Sequence, residues 1–201
     1  MKKAIIIVDV QNDFITGSLA VPGAEEIIPV INNIQKKFDL VVTTQDFHPS
    51  NHGSFAPSPD KIGTIINLNG LDQILWPVHC VQNSDGAEFH KELNLDQLDA
   101  NFTKGTNPDI DSYSGFFDNG KKQDTGLDAY LKDQNVDEVY VCGLATDYCV
   151  KFTAVDAADL GYKTYLINDA SRGVNINPND VENAIEDMKK KGIKIVNAED
   201  I

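Results

Sequence analysis

A chain of 201 residues with 41% hydrophobic and 24% charged side chains has the makeup of one globular domain, spanning 1–201, with a sizeable core. Its formal charge of −14 argues against nucleic acid and anionic membrane surfaces as partners, because both would repel it. Cys80, Cys142 and Cys149 cannot all pair and form no Cys-x-x-Cys, which points to free thiols in a reducing, cytoplasmic setting.

The apolar run Ala4 to Val8 predicts a first strand and stops at Asp9, far short of a signal sequence or membrane span. Ile27, Ile28, Val30, Ile31 and Ile34 then recur at helical spacing, with Pro29 tolerable in a first turn. Leu40–Thr44 predicts the second strand, completing a βαβ unit. Gly17 to Gly23 lacks a full Gly-x-Gly-x-x-Gly, so a nucleotide site has no signature. From about 46 to 97 the chain is dense in Pro, Gly, Ser, Asn and Asp and has no strong period. Loops that long in a compact domain usually carry function.

Further strands are predicted near Ala100–Thr103 and at Glu138–Cys142, Lys163–Ile167 and Lys194–Val196. Thr125 is placed to cap a helix running to about Asp133, and a helix over Cys149–Leu160 ends at Gly161. The last helix has Pro178 in its first turn and Gly192 beyond its end. Strands alternating with helices predict an α/β chain: a three-layer α/β/α, doubly wound fold on a mostly parallel six-stranded sheet.

In such a sheet ligands bind outside the carboxyl ends of the strands, where the strand order reverses. Asp9 follows the first strand, Asp46 and His48 the second, Lys104 the third, and the Leu144–Tyr148 loop before Cys149 the fourth. Taken singly, Asp9 reads equally well as a turn cap, Lys104 as a surface charge and Cys149 as a small apolar filler. Together, an acid, an amine and a thiol form a nucleophile with its base and electrostatic partner. The start of a helix at Cys149 predicts a lowered thiol pKa and a thiolate at neutral pH.

Asp46 and His48 are two residues apart, so an extended backbone points both to one side. His52 lies four residues on, and His79 comes from the long loop after Trp76-Pro77-Val78. An Asp with two or three imidazoles suits Zn²⁺, Fe²⁺ or Mn²⁺; the alternative is loop histidines bonded to backbone. Phe14, Trp76 and Tyr113 flank these groups, as pocket walls or as ordinary core.

Six segments carry these residues in order: Asp9-Val10-Gln11-Asn12-Asp13-Phe14, Asp46-Phe47-His48-Pro49, Trp76 to Gln82, Lys104-Gly105-Thr106, Tyr113-Ser114-Gly115-Phe116 and Gly143 to Val150. Over essentially the whole chain the sequence resembles the bacterial nicotinamidases, also called pyrazinamidases, of the isochorismatase-like cysteine hydrolase superfamily. The resemblance implies hydrolysis of nicotinamide to nicotinate and ammonia through a cysteine thioester, in NAD salvage, with pyrazinamide as a further substrate. It implies a catalytic triad of Asp9, Lys104 and Cys149 and an oxyanion hole of Ala145 and Cys149, with the Leu144–Ala145 peptide cis. It also implies one divalent transition metal on Asp46, His48 and His79, zinc first with iron or manganese as alternatives. His52 is then placed beside metal-bound water, and Phe14, Trp76 and Tyr113 around the pyridine ring.

Two rivals remain at this point: a metal-free amidase acting on a carbamoyl or ureido substrate, and a catalytically silent binding module. A homo-oligomer is left open. Asn83-Ser84-Asp85 departs from the turn beginning with glycine usual in the family, outside the chemistry.

Overall fold

The computed structural model describes residues 1–201. In chain order the strands are β1 (Lys2–Val8), β2 (Leu40–Asp46), β3 (Ile65–Leu68), β4 (Leu71–Ile74), β5 (Ala100–Lys104), β6 (Val136–Leu144), β7 (Lys163–Arg172) and β8 (Lys194–Val196). The helices are α1 (Asn12–Ile15), α2 (Ile27–Ile34), α3 (Leu127–Asp133), α4 (Lys151–Asp159) and α5 (Asp180–Lys190). Six strands form one sheet in the order β5-β2-β1-β6-β7-β8, with every neighbouring pair parallel.

Residues 4–8 of β1 are wholly buried, as a central strand covered on both faces requires. Alternation along β1 divides the core in two. Ile5 and Ile7 join Ile27, Ile28, Ile31 and Ile34 of α2 on one face. Ile6 and Val8 join Leu127 and Leu131 of α3, Ala154 and Ala157 of α4 and Met188 of α5 on the other. The sheet is therefore sandwiched between helices, and its order reverses between β1 and β6. Asp9 and the Leu144–Cys149 segment leave the sheet at that point.

Local differences from the sequence reading have identifiable causes. The long excursion contains an antiparallel hairpin, β3 against β4, closed by Asn69-Gly70 with φ of 51° and 92°. That is the left-handed pair a two-residue turn prefers. Thr125 is not the residue that starts α3: Gly126 takes that place in a left-handed conformation, and the Thr125 hydroxyl instead accepts from Leu127 N–H at 3.2 Å. Pro178 lies before α5, which begins at Asp180 after a left-handed Asn179. The helix expected from Cys149 begins in regular form only at Lys151; Thr146–Val150 is a wider π-type turn. Gly161 and Gly192 follow their helices at positive φ, as the stop signals required. No helix is long and apolar enough to cross a membrane.

Candidate active site

Three strand ends bring Asp9, Lys104 and Cys149 together. Lys104 is buried, and its ammonium lies 2.8 Å from Asp9 Oδ2, 2.5 Å from Asp46 Oδ1 and 3.3 Å from Cys149 Sγ, and donates to Ser112 O at 3.0 Å. Asp9 sits at φ 51°, where the chain turns off β1, and its Oδ1 accepts from the Thr44 hydroxyl at 2.7 Å. Oδ2 is fully buried and, although paired in charge with Lys104, receives no aligned hydrogen bond, so a lone pair stays open. Carboxylate oxygens of Asp9 and Asp46 and Sγ of Cys149 all lie within 4.8 Å of one another.

The two carboxylates differ in protonation. Burial raises Asp9 more than the Lys104 ammonium lowers it, bringing it up to about 6. Burial pushes Asp46 up too, but Lys104, His48 and His79 together hold it well below the usual carboxylate range. Burial raises the Cys149 thiol well above its ordinary value, opposed by Lys104 and reinforced by Asp9 and Asp46. The thiolate expected from a helix start is thus corrected to a neutral thiol. The regular helix opens two residues too late, and the nearby carboxylates oppose ionisation.

Asp46, His48 and His79 form a second cluster, which shares Asp46 with the first. His48 Nδ1–H donates to Gly105 O at 2.8 Å and His79 Nδ1–H to Pro77 O at 2.7 Å, so each neutral ring keeps its lone pair on Nε2. Those nitrogens lie 3.6 and 3.8 Å from Asp46 Oδ2, and His48 Nε2 is buried with no hydrogen-bond partner. With both rings neutral, two imidazole lone pairs and a carboxylate face one another, a donor set that suits a divalent metal. His52 is different. Its Nδ1 accepts from Ser54 N–H at 3.2 Å and meets Ser54 Oγ at 2.7 Å, which puts the ring hydrogen on Nε2. It therefore offers an N–H to the site rather than a lone pair.

A pocket lined by residues of both clusters joins them. The structure brings Phe14, Trp76 and Tyr113 to its wall with Asp46, His79 and Cys149, and adds Leu19, Asp111, Tyr148 and Val174. Tyr113 OH accepts from Trp76 Nε1 and Gln73 Nε2, both at 3.1 Å, which fixes its ring. Ala145 precedes the Cys149 turn; the Leu144–Ala145 bond is cis, and no acceptor in the chain takes the Ala145 N–H.

Two polar residues of the site were not singled out from sequence. Asp111 is buried, accepts from Gln73 Nε2 at 3.0 Å, and has a carboxylate oxygen within 4.8 Å of ring nitrogens of His48 and His52. Nothing in its acidic neighbourhood distinguishes it. Gln11 is wholly buried: its amide donates to Asp46 O at 2.8 Å and accepts from Asp46 N–H at 2.9 Å, holding that residue's backbone like one more strand partner. Its signal was available as a polar residue beside a buried strand end.

The isochorismatase domain model matches residues 3–200. The nicotinamidase of Escherichia coli is 49% identical over 94% of this chain and 92% of its own. A solved nicotinamidase/pyrazinamidase of Acinetobacter baumanii superposes with a TM-score of 0.95 at 42% identity, covering 99% of this chain and 97% of that one. The pyrazinamidase of Pyrococcus horikoshii, solved in complex with zinc, superposes with a TM-score of 0.80 at 42% identity over 98% and 99% of the two chains. With this similarity over nearly its whole length, the chain belongs to the isochorismatase family and, within it, to the nicotinamidases.

Proposed function

We propose that this protein hydrolyses nicotinamide to nicotinate and ammonia through a thioester on Cys149, a step of NAD salvage, and that it also accepts pyrazinamide. The observation that carries the reading is one pocket in which a thiol, 3.3 Å from a buried ammonium, faces Asp46 and His79 of a three-donor metal set between aromatic walls. Such a lining suits one flat heteroaromatic ring, with Phe14, Trp76 and Tyr113 against its faces and edges.

Asp46, His48 and His79 would hold the metal, which we take to be zinc by likeness to the zinc-bound pyrazinamidase. When bound, it would supply a fixed electrophilic anchor for a ring nitrogen, with His52 and Asp111 placed beside the ligand set to orient water there. Asp9, poised near neutrality, takes the Cys149 proton as sulfur attacks the carboxamide carbon. The N–H groups of Ala145 and Cys149 receive the oxyanion, and Lys104 offsets the charge gathering on the sulfur side. Asp9 returns its proton to the departing nitrogen, which leaves as ammonia. It then takes a proton from the water that attacks the thioester, and the Cys149 thiol is restored as nicotinate leaves. The buried, unpaired cysteines support a cytoplasmic setting.

The deciding experiment measures ammonia release from nicotinamide and metal content on the same preparation. Cys149→Ala is expected to keep its metal and lose about 10⁴-fold or more in turnover. Undiminished ammonia release from that variant would remove the nucleophile assignment.

A further inference from the structure

One wall of the pocket does not belong to the reacting network. After β7 the chain runs as a strap, 173–179, before α5 begins, and the strap contributes Val174 to the pocket lining. Its neighbour on the nucleophile side is Asp147, 8% exposed and two residues before Cys149 in the Thr146–Val150 turn. The two carboxylate oxygens accept two consecutive backbone N–H groups of the strap: Val174 N–H to Oδ1 at 2.9 Å and Asn175 N–H to Oδ2 at 2.7 Å. Charge-assisted pairs of this kind are among the stronger hydrogen bonds in proteins.

Gly173 permits this approach. A Cβ there would run into Val181 Cγ2 and lie 3.0 Å from Asp147 Oδ1. On its far side the strap is held by the Asn175 side chain, whose Oδ1 accepts Val181 N–H at 3.0 Å. Asp147 makes no hydrogen bond or ion pair with Asp9, Lys104, Cys149 or the metal-ligand set. Its carboxylate is committed to the strap.

We infer that Asp147 is a positioning residue that clamps the 173–179 strap to the nucleophile turn, so that Val174 closes over the substrate ring and sets the ring size the enzyme accepts. The inference rests on the nicotinamidase reading for the identity of that ring. Asp147→Asn keeps the size of the side chain but can accept only one of the two N–H groups and turns its own NH₂ toward the other. Loss of the clamp weakens ground-state and transition-state binding alike, so KM for nicotinamide should rise about tenfold or more while kcat stays within about threefold. Val174→Ala should raise kcat/KM for a 5-methyl-substituted nicotinamide relative to nicotinamide itself, again by about tenfold.

Hydrogen exchange in the substrate-free protein provides an independent readout: the Val174 and Asn175 amides should lose protection in Asp147→Asn. An unchanged KM with a collapsed kcat, or amides as protected as in the wild type, overturns the clamp. An unchanged preference in Val174→Ala overturns the ring-size role. If Asp147→Asn does not fold, exchange at these amides and substrate preference in Gly173→Ala decide the same question. Absence of any ammonia release by the wild-type protein would instead sink the nicotinamidase reading, and the exchange measurement still decides the clamp.

Discussion

Gly105 follows Lys104 at φ 64°, and its carbonyl oxygen accepts the His48 Nδ1–H at 2.8 Å. A methyl group at this position would stand 2.6 Å from His48 Nδ1 and closer still to Cε1, far inside contact distance. His48 is wholly buried, so the ring cannot move aside without losing that hydrogen bond and the aim of Nε2. The left-handed backbone costs a residue with a Cβ about 1–2 kcal/mol. Displacing a ring in a packed interior adds about 1–3 kcal/mol. Gly105→Ala should therefore lose about 2–5 kcal/mol of stability without metal, and about 10–100-fold in metal affinity as the imidazole loses its orienting acceptor. Gly63→Ala is the matched control, with φ of 82° and nothing within 4 Å of the added carbon, so it should carry the backbone cost alone. Urea unfolding in the presence of a chelator measures the first quantity, and competition with a chromophoric zinc chelator the second. If the two variants lose equal stability and Gly105→Ala binds zinc like the wild type, the Gly105 carbonyl does not aim His48 and the fit argument for the ligand set fails.

The raised pKa of Asp9 places the acid limb of kcat/KM near pH 6, because the base must be ionised to take the thiol proton; a limb nearer pH 4 would exclude Asp9 from that role. A rise from 3.8 to about 6 means that the folded state keeps a proton the unfolded chain has already released. The associated stability, about 3 kcal/mol, is present below pH 4 and lost as pH rises through 6. Asp9→Asn should accordingly lose turnover yet unfold at higher urea than wild type at pH 8, with the gain gone at pH 4. At His48, burial lowers the pKa but the Asp46 carboxylate outweighs it, lifting the ring to about 8. Metal must displace that proton, so zinc affinity should fall about tenfold per pH unit below 8, and a flat profile from pH 6 to 8 would remove His48 from the ligands.

Features set by short-range periodicity were legible in the sequence, and features set by distant packing were not. Ala4–Val8 and Leu40–Thr44 stand out because a strand buried on both faces must be apolar at every position. The β3–β4 hairpin escaped notice because its strands are mostly exposed or half-buried and so lack an apolar run, although Asn69-Gly70 marked its turn. Element starts at Thr125 and Pro178 were displaced by left-handed residues that no hydrophobic pattern reveals. The strand ends carrying Asp9, Asp46 and Lys104 could be found because parallel register aligns carboxyl ends. Asp111 could not: its burial depends on Gln73, 38 residues away, and its sequence surroundings are those of a solvated loop. Leu19 and Val174 carry no polar signature, and only their convergence makes them walls.

The misread charge state of Cys149 has a physical consequence for the site as a whole. Asp9, Asp46 and the thiol surround one ammonium, and a buried set with all three ionised would hold three negative charges against one positive. Lys104 lies against both carboxylates, 2.8 Å from Asp9 and 2.5 Å from Asp46, but donates an aligned hydrogen bond only to Asp46. Their other neighbours widen the distinction. Asp46 also faces His48 and His79 and is held ionised; Asp9 has only the Thr44 hydroxyl and rises toward neutrality. Two carboxylates on one lysine are thus driven apart in acidity, which in the proposed mechanism divides their work between holding a cation and exchanging a proton. In the proposed mechanism the nucleophile then forms only as Asp9 accepts the thiol proton, so the base is as indispensable to attack as the sulfur.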